Sequence, residues 1–246
     1  RRVLFRSLHR ILDAIDQLTS TAASHQRTFV VEVMGRHCGY LPLMAAVAGG
    51  ADYVFTPEDP AGPGWQDDLA EHLRLGREAG RRESIVLVAE GAHDRDGNEL
   101  STQLIADTIQ ERTGEDARVT ILGHVQRGGT PSAYDRWMST LLGYAAVQEI
   151  LESTAEDEPV ILGVRRNRIT RVPLMKAVHD TRAVKDLIAA GDYAAAQASR
   201  GSSFSSMVGI NQILSTPPQL TPEPTGESKR VAILHAGGLA PGMNTA

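Results

Sequence analysis

The sequence predicts an α/β protein with a doubly wound, mainly parallel sheet flanked by helices. Apolar strand patterns and amphipathic helix patterns alternate from residue 8 to about residue 150. The strand segments are apolar on both sides of their alternation, which is typical of a sheet covered on both faces. A single helix separates successive strands, which implies right-handed crossovers between parallel neighbours.

The first two strands and their helices are defined by turn residues. A helical stripe of leucine and isoleucine begins at Leu8, and the β-branched segment TFVVEVM follows it as a strand. Gly49 and Gly50 then end a second helix before another short strand. The expected elements are a helix from residue 8, a strand at 28–34, a helix at 40–48 and a strand at 53–56.

The same alternation continues twice more. Gly80 ends a helix and precedes the strand segment SIVLVA, while Ser132 is a helix N-cap with Asp135 in the first turn. The expected elements are a helix at 67–79, a strand at 84–89, a helix at 102–111, a strand at 119–124 and a long helix after Ser132.

The pattern changes after Glu158. Two short apolar segments around residues 165–168 predict a hairpin, and a helix is expected from Met175 to about Ala190. Proline and turn clusters predict a largely irregular segment at 201–229. A new apolar strand at 231–235 then leads into a glycine-rich turn, which is typical of the start of a further nucleotide-type domain.

Composition excludes several classes of function. The 246 residues carry 25 Lys plus Arg against 30 Asp plus Glu, for a formal net charge of -5. The basic residues are scattered, which argues against a nucleic-acid partner. The longest apolar runs fall short of the ~20 residues of a membrane helix, and the single cysteine, Cys38, has no internal disulfide partner. We therefore expect a cytoplasmic protein without a signal peptide, and we set residues 1–7 aside as possible non-native sequence.

Charged and glycine residues follow three of the predicted strands. Met34-Gly35-Arg36 follows the first, Glu90-Gly91 the third, and His124 to Gly129 (HVQRGG) the fourth. Ligands bind beyond the carboxyl ends of parallel strands, so we expect these residues at one edge of the sheet. Arginines, a histidine and one carboxylate beside flexible glycines suit a small anion that bears hydroxyls, such as a phosphorylated sugar.

Each of these residues also has an ordinary structural interpretation. The arginines and Glu90 could be solvated loop residues, and His124 could simply end a strand. Cys38 is interpreted as a core thiol, since His37 is too close in sequence to complete a convincing metal pair. The sequence contains neither a visible metal cluster nor a Gly-x-Ser-x-Gly nucleophile motif, so no resident metal is predicted and hydrolase chemistry has no support.

The segments RTFVVEVMGRHCGYLPLMAAVAGGADYVFTPE (27–58), AEG (89–91) and TILGHVQRGGTPSAYDR (120–136) closely resemble the ATP-dependent 6-phosphofructokinase family. The resemblance is to the tandem, two-half form of that family. It implies an incomplete phosphofructokinase-like fold: the sugar-phosphate-binding part of a first half at 8–204, a linker at 205–229 and the start of a second half at 230–246. Leu239 stands where active relatives usually have an acidic residue, so the loop of Gly237, Gly238 and Gly242 resembles a diverged effector loop.

The resemblance assigns roles to individual residues. Arg36 is implied to be catalytic, because it would stabilise charge on the transferring phosphoryl group as well as bind substrate. The implied substrate-binding residues are Arg27, Met34, Gly35, Arg36, Glu90, Arg118, His124 and Arg127. Arg27 and Arg118 resemble the arginines that reach the pocket of a neighbouring subunit or half, which implies a homo-oligomer. Arg81, Arg82 and Asp52 fall where bacterial relatives bind effectors.

The implied reaction transfers the terminal phosphoryl of ATP, with Mg²⁺, to the 1-hydroxyl of fructose 6-phosphate in glycolysis. The family's first nucleotide-binding glycine loop and its Thr-Ile-Asp-Asn-Asp segment do not occur in these 246 residues, so this chain alone is expected to be nearly inactive. Two alternatives stay open: a pyrophosphate-dependent phosphofructokinase and a non-catalytic sugar-phosphate-binding regulatory subunit. A dinucleotide-dependent dehydrogenase is a third, but it leaves the arginines at the strand ends unexplained.

Overall fold

The computed structural model describes residues 4–25, 27–165 and 168–217. The helices in this part of the chain are α1 (Leu4–His25), α2 (Tyr40–Gly49), α3 (Trp65–Glu78), α4 (Thr102–Thr113), α5 (Ala133–Glu152), α6 (Leu174–Ala189), α7 (Tyr193–Ser199) and α8 (Ser202–Ser215). The strands are β1 (Thr28–Val33), β2 (Tyr53–Phe55), β3 (Ser84–Ala89), β4 (Ala117–Ile121), β5 (Val160–Arg165) and β6 (Arg168–Pro173). A 3₁₀ turn, Gly123–Arg127, follows β4.

Four strands form a parallel sheet in the order β2-β3-β1-β4, which confirms the predicted fold class. β1 lies between β3 and β4, so its carboxyl end has a neighbouring strand end on each side. The register pairs Val33 with Ala89 and Glu32 with Ile121. β5 and β6 form a separate antiparallel hairpin, as predicted.

Both faces of the sheet are covered, as the apolar strands predicted. Val30 of β1 points into a cluster with Leu69 of α3 and Ile105 of α4. The next residue, Val31, points to the opposite face and into a cluster with Ile11 and Ile15 of α1. All six side chains are completely buried. Because each cluster is anchored on the same strand, β1 holds a fixed position between the two helical layers.

Outside residues 201–229, the main differences between the described chain and the sequence prediction lie in α1, β4 and α7. α1 begins at Leu4 and its Ser7 is buried, so residues 4–7 continue the helix that was expected from residue 8. β4 ends at Ile121, and His124 lies in the 3₁₀ turn instead of ending the strand. α7 is a helix that the sequence pattern did not predict.

The predicted irregular segment at 201–229 is wrong over its first half, because residues 202–215 form α8. Phe204 of α8 is buried and its ring contacts that of Tyr40 at the start of α2. This apolar contact stabilises a helix whose serine-rich sequence is a weak helix signal. The remaining linker residues from 218 and the expected second-half segment at 230–246 lie outside the described residues.

Candidate functional site

The predicted site residues gather at the carboxyl edge of the sheet. Because Val33 pairs with Ala89, the residues that follow them, Met34 and Glu90, leave the sheet side by side. The Glu90 N–H donates to the Val33 carbonyl at 2.9 Å, which extends the strand pairing by one step. The Leu122 N–H donates to the Glu32 carbonyl on the other side. The three strand ends therefore meet, as the sequence predicted.

Glu90 fastens the backbone that follows β1. Its Oε2 accepts hydrogen bonds from the N–H of Gly35 at 3.1 Å and from the N–H of Arg36 at 2.8 Å. Two amide donors on one carboxylate oxygen form a small anion-binding turn. The side chain of Glu90 thus serves two purposes: it fixes the turn and it places a carboxylate at the edge of the site.

The turn after β1 is unusually tight. Among the described residues other than glycine, Arg36 is the one with a positive φ, which is 56°. A Cβ atom on Gly35 would lie 2.4 Å from the Cys38 carbonyl oxygen, so the backbone could not stay in place with a larger residue there. Gly91 has a φ of 81°, and a Cβ atom there would lie 3.0 Å from Nδ1 of His37. These glycines allow the two loops to approach each other closely.

The 3₁₀ turn after β4 carries the other predicted residues. His124 and Arg127 are three residues apart, and side chains at this spacing on a 3₁₀ helix lie on the same face. Both are exposed. Between them Gln126 is 1% exposed, and its Oε1 accepts a hydrogen bond from the Met34 N–H at 2.8 Å. The glutamine joins the turn to the end of β1, although it was not among the predicted site residues.

The pKa of Glu90 is lowered from its ordinary value. The hydrogen bonds from the Arg36 and Gly35 amides are the largest causes, and the positive charges of Arg127 and Arg36 contribute further. Glu90 is therefore a carboxylate at neutral pH. The contribution of both guanidinium groups also indicates that Arg36, Glu90 and Arg127 share one electrostatic environment, in which a ligand would meet two cations and one anion.

Cys38 is a free, half-buried thiol, whereas the sequence predicted a core thiol. Burial raises its pKa, and the nearby carboxylate of Glu58 raises it further. A thiol with a raised pKa carries little thiolate at neutral pH and is a poor nucleophile. Cys38 therefore gives no support to covalent chemistry at this edge.

Arg27 and Arg118 lie at the opposite edge of the sheet, where β1 and β4 begin. Nε of Arg27 is 3.0 Å from Oδ2 of Asp116, and Nη2 of Arg118 is 2.9 Å from the same oxygen. β1 has six residues, and at about 3.3 Å per residue it separates the two edges by roughly 16–20 Å. The structure therefore does not bring these two arginines to the other predicted site residues of the same chain.

The remaining predicted positions are distributed as follows. Arg81 forms an ion pair with Asp52, which also accepts the Ile85 N–H at 2.8 Å, while Arg82 is exposed. The glycine loop of Gly237, Gly238 and Gly242 lies outside the described residues. Across residues 4–25, 27–165 and 168–217, His, Cys, Asp and Glu form no group of three that could hold a metal ion. The helices in those ranges include none that is long and apolar enough to cross a membrane.

The assembled edge is suited to bind a phosphorylated polyol. Guanidinium groups form paired, charge-assisted hydrogen bonds with phosphate oxygens, each worth about 1.5–3 kcal/mol. The carboxylate of Glu90 can accept hydrogen bonds from hydroxyl groups. The exposed imidazole of His124 adds a donor or acceptor beside Arg127.

Comparisons with known proteins identify the family of this chain. The family model described as "Phosphofructokinase" matches residues 6–150. An ATP-dependent 6-phosphofructokinase of Aspergillus fumigatus is 45% identical over 245 residues, which cover 98% of this chain and 30% of that protein. The liver-type ATP-dependent 6-phosphofructokinase of Bos taurus is 45% identical over 240 residues, again 98% of this chain and 30% of the relative.

Solved structures give the same result. The phosphofructokinase structure from Saccharomyces cerevisiae matches with a TM-score of 0.82 and 43% identity, covering 85% of this chain and 28% of the yeast chain. A pyrophosphate-dependent phosphofructokinase from Marinobacter aquaeolei matches with a TM-score of 0.55 at 20% identity, which concerns the fold alone. This chain spans about a third of the length of the curated relatives that it matches, and it belongs to the phosphofructokinase family.

Proposed function

We propose that this chain supplies the sugar-phosphate side of an ATP-dependent 6-phosphofructokinase. The reaction would transfer the terminal phosphoryl of ATP to the 1-hydroxyl of fructose 6-phosphate, giving fructose 1,6-bisphosphate and ADP. One observation carries the proposal: the Glu90 carboxylate is held by the amides of Gly35 and Arg36, and the buried side chain of Gln126 joins the end of β1 to the turn that carries Arg127. The 45% identity to enzymes named for this reaction supports ATP as the donor.

Each residue has a distinct part in the proposed reaction. Arg127 and His124 bind the 6-phosphate, and Glu90 accepts hydrogen bonds from sugar hydroxyls. Arg36, on the tight turn beside Glu90, stabilises negative charge on the phosphoryl group as it is transferred. Phosphoryl transfer depends mainly on positioning and charge stabilisation, which fixed guanidinium groups provide.

When bound together with ATP, Mg²⁺ would supply positive charge that stabilises the transferring phosphoryl group. The residues that the structure describes include no cluster of metal ligands to hold it. We further propose that Arg27 and Arg118, at the far edge of the sheet, serve the pocket of a neighbouring subunit or half in a cytoplasmic homo-oligomer. The Arg27 side chain is 33% exposed and the Arg118 side chain is 56% exposed, so both are accessible to such a partner.

Substitution of Arg127 by alanine tests the proposal. In the complete protein, Arg127→Ala should weaken fructose 6-phosphate binding by at least tenfold, since one charge-assisted phosphate contact is worth about 1.5–3 kcal/mol. ATP binding should be unchanged. Isothermal titration calorimetry measures both affinities.

Arg112→Ala is the matched control, because Arg112 pairs with Asp67 on the surface of α3 and α4, away from the site. Its affinity for fructose 6-phosphate should equal that of the unmodified protein. If the Arg127→Ala variant also bound fructose 6-phosphate as tightly as the unmodified protein, Arg127 would not belong to the pocket.

A further inference from the structure

A completely buried carboxylate lies behind the turn that carries Arg36. Glu58, in the loop after β2, is 0% exposed. Its Oε2 accepts the Gly39 N–H at 2.9 Å, and its Oε1 accepts Nε of Arg200 at 2.7 Å. A buried charge is tolerated only when its hydrogen-bonding partners are fixed in place. The Glu58 carboxylate therefore holds Arg200 and Gly39 in a definite geometry.

Arg200, the residue after α7, makes a second contact. Its Nη2 donates to the His37 carbonyl at 2.7 Å. From the last turn of α7, Nε2 of Gln197 donates to the Glu58 carbonyl at 3.2 Å. The end of this helix therefore binds both loops at once: the loop after β1 through His37, and the loop after β2 through Glu58.

Gly39 is also closely packed, so that no side chain would fit at this position. A Cβ atom there would lie 2.5 Å from Cβ of Thr56 and 2.7 Å from Oε2 of Glu58. The loop after β1 is thus pressed against the loop after β2 at Gly39. It cannot move away without breaking the hydrogen bond to the buried carboxylate.

The turn at Arg36 is therefore fixed on both sides. Glu90 holds the N–H groups of Gly35 and Arg36, and on the other side Arg200 and Glu58 hold the His37 carbonyl and the Gly39 N–H. The positive φ of Arg36 is disfavoured for a residue with a Cβ atom, so it persists only where the surrounding structure enforces it.

We propose that Arg200 and Glu58 form a clamp that positions Arg36 for sugar-phosphate binding and phosphoryl transfer. Neither side chain touches the substrate, so both are positioning residues that act through the backbone of residues 37–39. This inference rests on the proposed function. Without the clamp, the turn relaxes toward negative φ, and the substrate must restore the binding conformation at the expense of affinity.

The test compares Arg200→Ala, Arg200→Lys and Glu58→Gln in the complete protein. Arg200→Ala should raise the KM for fructose 6-phosphate about 10- to 100-fold and leave the KM for ATP within about twofold. Arg200→Lys should fall between Arg200→Ala and the unmodified protein, because one ammonium group keeps the charge but cannot span Glu58 and His37 as the guanidinium does. Glu58→Gln should resemble Arg200→Ala, since it removes the charge that fixes Arg200.

Hydrogen exchange provides a readout that does not depend on activity. In Arg200→Ala, amide exchange should become faster at residues 35–39, while exchange in the buried strand β3 stays unchanged. Arg171→Ala is the matched control: Arg171 pairs with Glu149 on the surface at the β5–β6 hairpin, and both KM values and exchange should stay as in the unmodified protein.

The possible results separate the two proposals. Unchanged KM values together with unchanged exchange at 35–39 overturn the clamp. Faster exchange throughout, including β3, also overturns it, because Arg200 would then stabilise the whole fold without a particular effect on the turn. If the unmodified protein binds no fructose 6-phosphate, the proposed function is rejected, whereas faster exchange confined to 35–39 still supports the clamp.

Discussion

Arg36 combines a side chain that we propose to bind substrate with a backbone conformation that its own residue type disfavours. Left-handed φ costs a residue with a Cβ atom about 1–2 kcal/mol, and that cost is met by contacts elsewhere. The two amide hydrogen bonds to Glu90 are the nearest of these contacts. In this conformation the Arg36 N–H donates to the side chain of Glu90, the residue that follows β3.

Gly35 offers a direct test of how tightly this turn is packed. Gly35→Ala would bring a Cβ atom to 2.4 Å from the Cys38 carbonyl oxygen, so the backbone must shift. We expect a loss of about 1–3 kcal/mol in the free energy of unfolding, measured by urea denaturation.

Gly143→Ala serves as the control for Gly35→Ala. Gly143 lies within α5, and nothing approaches its Cβ position within 4 Å. Alanine there should be neutral or stabilising by about 0.5–1 kcal/mol, because glycine weakens a helix. Equal stability of the two variants would show that the turn at Gly35 can adapt.

At the scale of elements, the 3₁₀ turn and β1 are joined by one buried amide. Gln126 accepts the Met34 N–H, so the turn that carries His124 and Arg127 is fixed relative to the turn that carries Arg36. Because each turn is short, neither would hold its side chains in place alone. The relative position of the residues that we propose to bind phosphate therefore depends on Gln126, which is not itself one of them.

Gln126→Leu should break the link between the 3₁₀ turn and the turn after β1. The change removes the acceptor for the Met34 N–H and should cost about 1–3 kcal/mol in stability, measured by thermal unfolding. Gln103→Leu is the control, since Gln103 is exposed on α4 and its side chain donates to Asp107 of the same helix. Its effect should stay within about 0.5 kcal/mol. A similar small effect for Gln126→Leu would contradict the role assigned to this amide.

The strand-end residues were predictable because parallel strands place their carboxyl ends together whatever the side chains are. Glu58 and Arg200 were not, because their pairing across 142 positions depends on how α7 packs. α7 and α8 are rich in alanine and serine, and such segments carry little periodic signal from which a helix or its position can be predicted. Gln126 was missed for a different reason: a glutamine between two charged residues resembles an ordinary turn residue until its burial is known.

At the scale of the whole molecule, the proposed site is divided between two edges of the sheet. Arg36, Glu90 and Arg127 lie at one edge, while Arg27 and Arg118 lie at the other and share the carboxylate of Asp116. If all of them bind one substrate, the far-edge arginines must come from another subunit or from the other half of a tandem protein. Two-fold assembly achieves this, since each copy then gives and receives the same residues.

Mixing two variants tests the division of the site between subunits. Arg27→Ala and Arg127→Ala should each abolish most activity in the complete protein. When the two chains are coexpressed and assemble at random, about a quarter of the sites receive both arginines and activity should partly return. A coupled assay of fructose 1,6-bisphosphate formation measures the recovery. Activity no higher than that of the separate variants would place each site within a single chain.

The turn at Arg36 is secured by residues far away in the chain: Glu90 is 54 positions from Arg36, and Arg200 is 163 positions from His37. The residues that contact such a turn are expected to covary, because a substitution at one of them changes which residues are tolerated at the others. Glu58 and Arg200 should accordingly be retained or exchanged together among homologous sequences. Homologues that lack Glu58 or Arg200 should also differ at Gly35 or Gly39. Without the clamp, the backbone at these positions can shift and make room for a side chain.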